Sequence, residues 1–189
     1  ELMHEGKFLK ARGEKLYKEK VIVNDLDEKF TISHIGSLLS KRNPEVLWKV
    51  LKELTEDNLD FAKHFQLKLV GAVSEDVLKS IKTYGLLDFV NCVGYVSHKE
   101  SVAYQKQSQV LLLIEIDSED TKCIIPGKLF EYMVSNRPIV ALGPNGSDVE
   151  NIIKETNTAN YFSYADYERL RDVILNHFKA YQSNSLQRH

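Results

Sequence analysis

The chain has 189 residues, little more than one average domain of roughly 150, which leaves room for one core plus an appendage and not for two full-sized domains. A composition of 43% hydrophobic and 28% charged residues with 9 Gly and 4 Pro fits a globular protein with a sizeable core and excludes the disordered, collagen-like and coiled-coil classes. Lys and Arg number 25 against 27 Asp and Glu, for a net charge of -2, so no global positive field argues for nucleic acid or an anionic membrane, and any anion site must be local.

Cys92 and Cys123 are too few for a disulfide framework, and no metal-ligand spacing joins them to the six His; a reducing cytoplasmic compartment is the default and no metal is expected. No apolar run approaches the roughly 20 residues that cross a bilayer, and the opening ELMHEGKFLKARGEK lacks the apolar centre of a signal peptide. A start at Glu1 suggests a segment cut from something longer.

Residues 1–30 are rich in Lys and Glu with scattered apolar positions and end in the turn-prone NDLD, which predicts a helical lead-in and linker. Its Lys7 to Lys20 stretch mixes Lys with Glu and reads as a solvated linker helix, not a membrane surface. From Thr31 a β-α rhythm begins, and residues 31–189 form one predicted unit. The strands TISHI, LKLVGAV, FVNCVGYV, VLLLIEI and PIVALG alternate with the amphipathic stretches PEVLWKVLKEL, EDVLKSIKTY, KESVAYQKQ and KLFEYMV; DVENIIKE and YERLRDVILNHF close the chain. Val110 to Ile116 and Pro138 to Leu142 are apolar almost without alternation, as strands buried on both faces of a parallel sheet must be. In the helix beginning near Pro44, Val46, Leu47, Val50, Leu51 and Leu54 recur at helical spacing and leave Lys49, Lys52 and Glu53 for water. No fixed short repeat is present, which removes solenoids and propellers. The fold class is therefore α/β: a doubly wound, Rossmann-like parallel sheet of order 3-2-1-4-5 with helices on both faces.

Helix starts expose unpaired N–H groups and a partial positive charge. Most here complement themselves: Ser74 precedes Glu75 and Asp76, while Ser97 with Glu100, Ser147 with Glu150 and Ser163 with Asp166 have capping-box spacing. Two starts do not. The helix after strand one opens with Lys41, Arg42, Asn43, Pro44, and the one after strand four opens with Pro126, Gly127, Lys128. Cations at a positive pole cost about 0.3–1 kcal/mol each when exposed and become favourable once an anion sits between them and the N–H groups. In the predicted sheet both ends face the crevice where strand order reverses, between strands one and four. Arg42 with Lys41 near it, Lys128, and the backbone of Gly127 then form a candidate phosphate or diphosphate site; the alternative is plain solvated surface cations. Glu131, one turn further into the helix and about 5 Å along its axis, is a candidate acceptor for a vicinal diol such as ribose, or an ordinary i, i+3 partner of Lys128. Phe130 and Met133 read as core. Gly94, Tyr95 and Val96 follow strand three, where backbone could approach a flat base or merely turn.

Together IGSLLSKRNPEVL, VGYVSHKE and above all IIPGKLFEYMVSNRPIVALGP resemble the nucleotide-sugar-binding C-terminal half of GT-B glycosyltransferases of the retaining family 4 kind, from about Thr31 to Phe178. The resemblance implies a missing N-terminal acceptor domain, a nucleotide-diphosphate sugar as donor substrate and no resident cofactor. It implies that Glu131 binds ribose hydroxyls, that Arg42 neutralises the diphosphate and that Gly94 to Val96 lie by the base. The chemistry would be transfer with retention, in bacterial polysaccharide or surface-glycan assembly, in the cytoplasm or at the inner face of the membrane, with peripheral membrane association left to the full-length protein. This fragment alone would bind and not turn over. Three positions depart from the family: Cys123 stands where many members carry a carboxylate that contacts the donor sugar, and Ser37 and Asn43 stand at frequent basic positions. The sugar contact is thus unassigned, with Glu115, Asp117, Glu119 and Asp120 read as a solvated acidic loop, Cys123 as an inert thiol, and His34 and His98 as structural. Competing readings are an epimerase-like GT-B protein and a non-catalytic α/β nucleotide-binding or signalling module.

Overall fold

The two most apolar runs lie inside the sheet. β4 (Val110–Ile114) and β5 (Ile139–Leu142) are buried at every position in the computed structural model, which describes residues 25–185. Residues 1–24, with most of the expected lead-in and its Lys-rich stretch, lie outside the described residues. β1 (Phe30–Ile35), β2 (Phe65–Val70), β3 (Val90–Gly94) and β6 (Asn160–Phe162) complete a six-stranded sheet of order β3-β2-β1-β4-β5-β6, and every pairing is parallel. β6 was not expected from the sequence: with three residues on one edge of the sheet, it has too little periodicity to register.

Two apolar layers sandwich the sheet. On one face α1 (Glu45–Asp57), α2 (Leu59–His64), α3 (Glu75–Thr83) and α7 (Tyr167–Gln182) pack over Phe30, Ile32, Leu67, Leu69 and Leu112. On the other, α4 (His98–Gln107), α5 (Gly127–Val134) and α6 (Asp148–Thr156) cover Ile35, Leu111, Leu113 and Ala141. α1 buries Leu47, Trp48, Val50, Leu51 and Leu54; at about 1.5–3 kcal/mol per side chain this stripe contributes on the order of 10 kcal/mol before entropy. Trp48 also fixes what precedes the helix, since its indole N–H donates to Asn43 Oδ1 at 2.7 Å. Glu53, expected to face water, instead accepts hydrogen bonds from Tyr167 and Arg171 and ties α1 to α7.

The helix ends correct the sequence reading in part. Ser97 and Glu100 form a complete capping box on α4, and Ser147 caps α6. Ser74 makes no side-chain cap on α3; its hydroxyl accepts from Ser40 at 3.3 Å. Ser163 and Asp166 do pair, but α7 begins only at Tyr167, so they shape the turn before the helix. Phe130, expected in the core, is 51% exposed on the outer side of α5.

Candidate functional site

The loop after β1 is built to hold one cation still. Leu38 is fully buried and extends the pairing, with its N–H donating to Ala72 O at 2.8 Å and its C=O accepting from Ser74 N at 3.0 Å. A single 3-10 turn, Ser40–Arg42, follows, closed by Arg42 N to Leu39 O at 2.7 Å, and Ser40 anchors it to α3 by donating to Asp76 at 2.8 Å. Lys41 and Arg42 thus belong to this turn and not to the first turn of α1, which starts at Glu45 and carries that acid against its own pole. Lys41 is exposed outside the cavity described next, while Arg42 is half-buried and lines it, with its Nε sequestered and without a hydrogen-bond partner.

The second cation comes from α5. This helix has no side-chain cap and no acid in its first turn, so the mismatch expected from PGK stands. Buried Tyr132 sets its position: the phenol accepts from Ile35 N at 3.0 Å and donates to Ile35 O at 3.4 Å, locking the helix to the end of β1. Lys128, one turn earlier, is thereby held above Gly36. A Cβ on Gly36 would lie 3.5 Å from Lys128 Cε, and its φ of +137° suits glycine alone. Gly71 packs so tightly behind it that a Cβ there would stand 2.5 Å from Gly36 O.

Arg42 and Lys128 therefore line one cavity of about 310 Å³, together with His34, Gly36, Ser37, Glu115, Thr121, Ile124, Pro126 and Tyr132. It opens at the carboxyl ends of β1 and β4, where the strand order reverses, as ligand crevices in such sheets do, and its size is at the lower end of the range for small-molecule sites. Glu131 does not line it. Its carboxylate accepts from Gln105 at 2.8 Å and lies 3.7 Å from Lys128 Nζ, a half-buried i, i+3 ion pair. Gly127 is exposed at the helix start, and Gly94, Tyr95 and Val96 stand at the end of β3 and do not line the cavity, with Tyr95 94% exposed.

Two floor residues carry more chemistry than the sequence suggested. Glu115 is no solvated loop acid: it is 7% exposed and accepts from Tyr161 at 2.8 Å and more weakly from Ser147 at 3.4 Å. Burial pushes its pKa up to about 6, against the pull of those hydrogen bonds and of Arg42 and with a further push from Glu150. His34 is 6% exposed, with Nδ1 3.1 Å from Leu112 O. Burial, opposed by the backbone of Leu112 and Ser37 and aided by Arg42 and Lys128, pushes its pKa down to about 4. Neither was legible, because a strand residue and a loop residue show no burial in the sequence. Cys123 is exposed and free, and does not line the cavity.

No functionally curated protein matches the sequence. Among solved structures, a mutant of S. aureus TarM in complex with fondaparinux, alpha-GlcNAc-glycerol and UDP aligns with 14% identity over 85% of this chain and 31% of its own, at a TM-score of 0.60. Anabaena HepE in complex with UDP gives 12% identity over 84% of this chain and 42% of its own, at 0.63. The C-terminal domain of the Francisella tularensis group 1 glycosyl transferase LpcC gives 12% over 85% and 81%, at 0.59. At such identities the likeness is one of fold, and this chain spans less than half the length of TarM or HepE. Sequence supplies the stronger link: the family model for glycosyl transferases group 1 matches residues 29–179, from the start of β1 through nearly all of α7. With well over half its length matched and the sheet order and fold in agreement, the chain belongs to the glycosyl transferases group 1 family.

Proposed function

We propose that this chain is the donor-binding half of a glycosyltransferase, holding a nucleotide-diphosphate sugar while an N-terminal domain of the full-length protein presents the acceptor. The observation that carries the reading is that Arg42 and Lys128, from a turn and a helix far apart in sequence, line a single cavity at the β1/β4 reversal. Two cations beside an uncapped helix start attract a group of two negative charges, and the diphosphate of a sugar nucleotide is such a group. The Gly127 N–H assists, and Lys41 adds long-range attraction from the rim. Glu131, steadied by Gln105, takes the ribose diol on the outer side of α5, and the Gly94 to Val96 turn lies by the base. The UDP complex of HepE, a protein of the same fold, supports this reading.

In the reaction the bond between the anomeric carbon and the diphosphate oxygen breaks, the electron pair leaves with the nucleoside diphosphate, the acceptor hydroxyl oxygen bonds to the anomeric carbon from the same face, and its proton passes to the departing phosphate oxygen. Arg42 and Lys128 stabilise the charge that grows there, the electrostatic assistance that outweighs most other contributions to catalysis. No protein nucleophile or metal is needed, and transfer proceeds with retention by a member of the family 4 kind. The product belongs to bacterial polysaccharide assembly, made in the cytoplasm or at the inner face of the membrane; among the described residues no helix is long and apolar enough to cross one.

Thermal unfolding with UDP, GDP, ADP and TDP and their glucose conjugates tests the proposal. A compound present at 100 times its Kd adds about 2.7 kcal/mol of stability. The double variant Arg42→Ala, Lys128→Ala should abolish that shift. A wild-type protein unmoved by all eight compounds, or a double variant that binds as well as wild type, would refute it.

A further inference from the structure

Cys123, at the position where the resemblance would put a carboxylate for the donor sugar, is exposed and outside the cavity. Another side chain must recognise the sugar if the donor sits there. Two side chains of the cavity lining hold a buried polar atom with no hydrogen-bond partner, Arg42 Nε and His34 Nε2; the guanidinium nitrogen can only donate, so His34 Nε2 is the one that can accept. Leaving such an atom unpaired costs about 1–3 kcal/mol, and buried polar atoms in folded proteins are paired in the great majority of cases.

The tautomer follows from the other nitrogen. Leu112 O, 3.1 Å from Nδ1, can only accept, so Nδ1 carries the hydrogen and Nε2 presents a lone pair. The backbone of Ser37 lies near enough to favour a proton on the ring, but it makes no hydrogen bond with Nε2. Arg42 and Lys128 both oppose that proton, and burial opposes it more strongly. The ring is therefore neutral at pH 7. Gly36 borders Nε2, since a Cβ there would lie 4.0 Å from it. A lone pair in the cavity wall is unsuited to a phosphate oxygen, which is itself an acceptor. It is suited to an O–H.

We propose that His34 is a specificity residue for the donor sugar, its Nε2 accepting a hydrogen bond from a hydroxyl of the transferred hexose while Arg42 and Lys128 hold the diphosphate. The inference rests on the donor-binding reading above and deepens it: Glu131 serves the ribose, the cations serve the diphosphate, and His34 serves the sugar through a neutral acceptor.

Calorimetric titration of the wild type, His34→Leu and His34→Gln with UDP-glucose, TDP-glucose, ADP-glucose and GDP-mannose, each against its parent diphosphate, separates the possibilities. Loss of one neutral hydrogen bond into a buried acceptor weakens binding by about tenfold. His34→Leu should lose about that much for at least one conjugate and less than about twofold for the parent. His34→Gln, whose amide reaches the position of Nε2, should recover most of it. Equal losses for conjugate and parent would assign the contact to the nucleotide or to a purely structural role and overturn the proposal, as would unchanged binding of every conjugate by His34→Leu. Failure of the wild type to bind any parent diphosphate would instead strike the donor-binding reading itself.

Discussion

Acid exposes the state of His34, on which the sugar-binding role depends. Its pKa in the folded chain is about 4 against an ordinary 6.5, so the unfolded chain takes up the proton first. The stability tied to the neutral ring is whole above pH 6.5 and drains away as pH falls toward 4. The gap of about 2.5 pH units, at 1.36 kcal/mol each, amounts to about 3 kcal/mol, a large share of the 5–15 kcal/mol by which domains are stable. Little solvent screening reduces it, because the side chain is only 6% exposed. Urea unfolding of the wild type and of His34→Gln at pH 7.5 and pH 4 measures the effect. The carboxylates contribute equally in both proteins, so the difference between the two acid losses isolates the imidazole. The wild type should lose about 3 kcal/mol more than the variant. Equal losses would mean that the ring titrates normally, and the neutral acceptor in the cavity floor would go with it.

Glu115 titrates with the opposite sign: its raised pKa of about 6 against 4.5 makes its contribution full below pH 4.5 and lost as pH rises through 6, by about 2 kcal/mol. Glu115→Gln keeps an acceptor for Tyr161 and should remove that decline from the urea stability profile; an unchanged slope would refute the burial argument. Tyr132→Phe deletes both bonds to Ile35 and should cost about 1–2 kcal/mol, together with weaker diphosphate binding because Lys128 loses its registration; calorimetry and urea unfolding check the two effects separately. Gly143→Ala places a Cβ 2.3 Å from both Glu115 Oε2 and Tyr161 Oη and should destabilise by about 3 kcal/mol in thermal unfolding, with part of the loss recovered in a Glu115→Ala background.

How much of this was legible varies with the physics involved. The central strands announced themselves, because burial on both faces demands unbroken apolar runs such as VLLLI, and the stripe of α1 did so through its spacing. Sheet order followed from the alternation of strands and helices. β6 escaped because its three residues carry no period, and Glu53 because its partners Tyr167 and Arg171 lie more than 100 residues away. The Ser74 cap failed for a related reason: Ser40 from a distant loop had taken the hydroxyl, and spacing rules see only near neighbours.

The candidate site divides along the same line. Its cations were readable because a positive residue at a positive helix pole is a local conflict, visible within four residues at Pro126 to Leu129. The reading was less sound for α1, where Glu45 occupies the helix start and Arg42 sits in a turn ahead of it; Arg42 reaches the cavity because Ser40, Leu38 and Trp48 pin the loop on three sides. His34 and Glu115 carried no such local conflict. Each is an ordinary polar residue in its own segment, and becomes unusual only when Leu112, Tyr161 and the two cations are brought around it. A site whose electrostatics is set by loops can therefore be read from sequence, while one whose selectivity is set by buried lone pairs has to be read from coordinates. The two halves also make different demands on the fold: the cations tolerate small displacements because Coulomb attraction falls off slowly with distance, whereas a hydrogen bond to His34 Nε2 fails within about half an ångström. Tyr132, which locks α5 to β1, sets where Lys128 stands, so its loss weakens diphosphate binding without abolishing it, whereas the acceptor on His34 belongs to β1 itself.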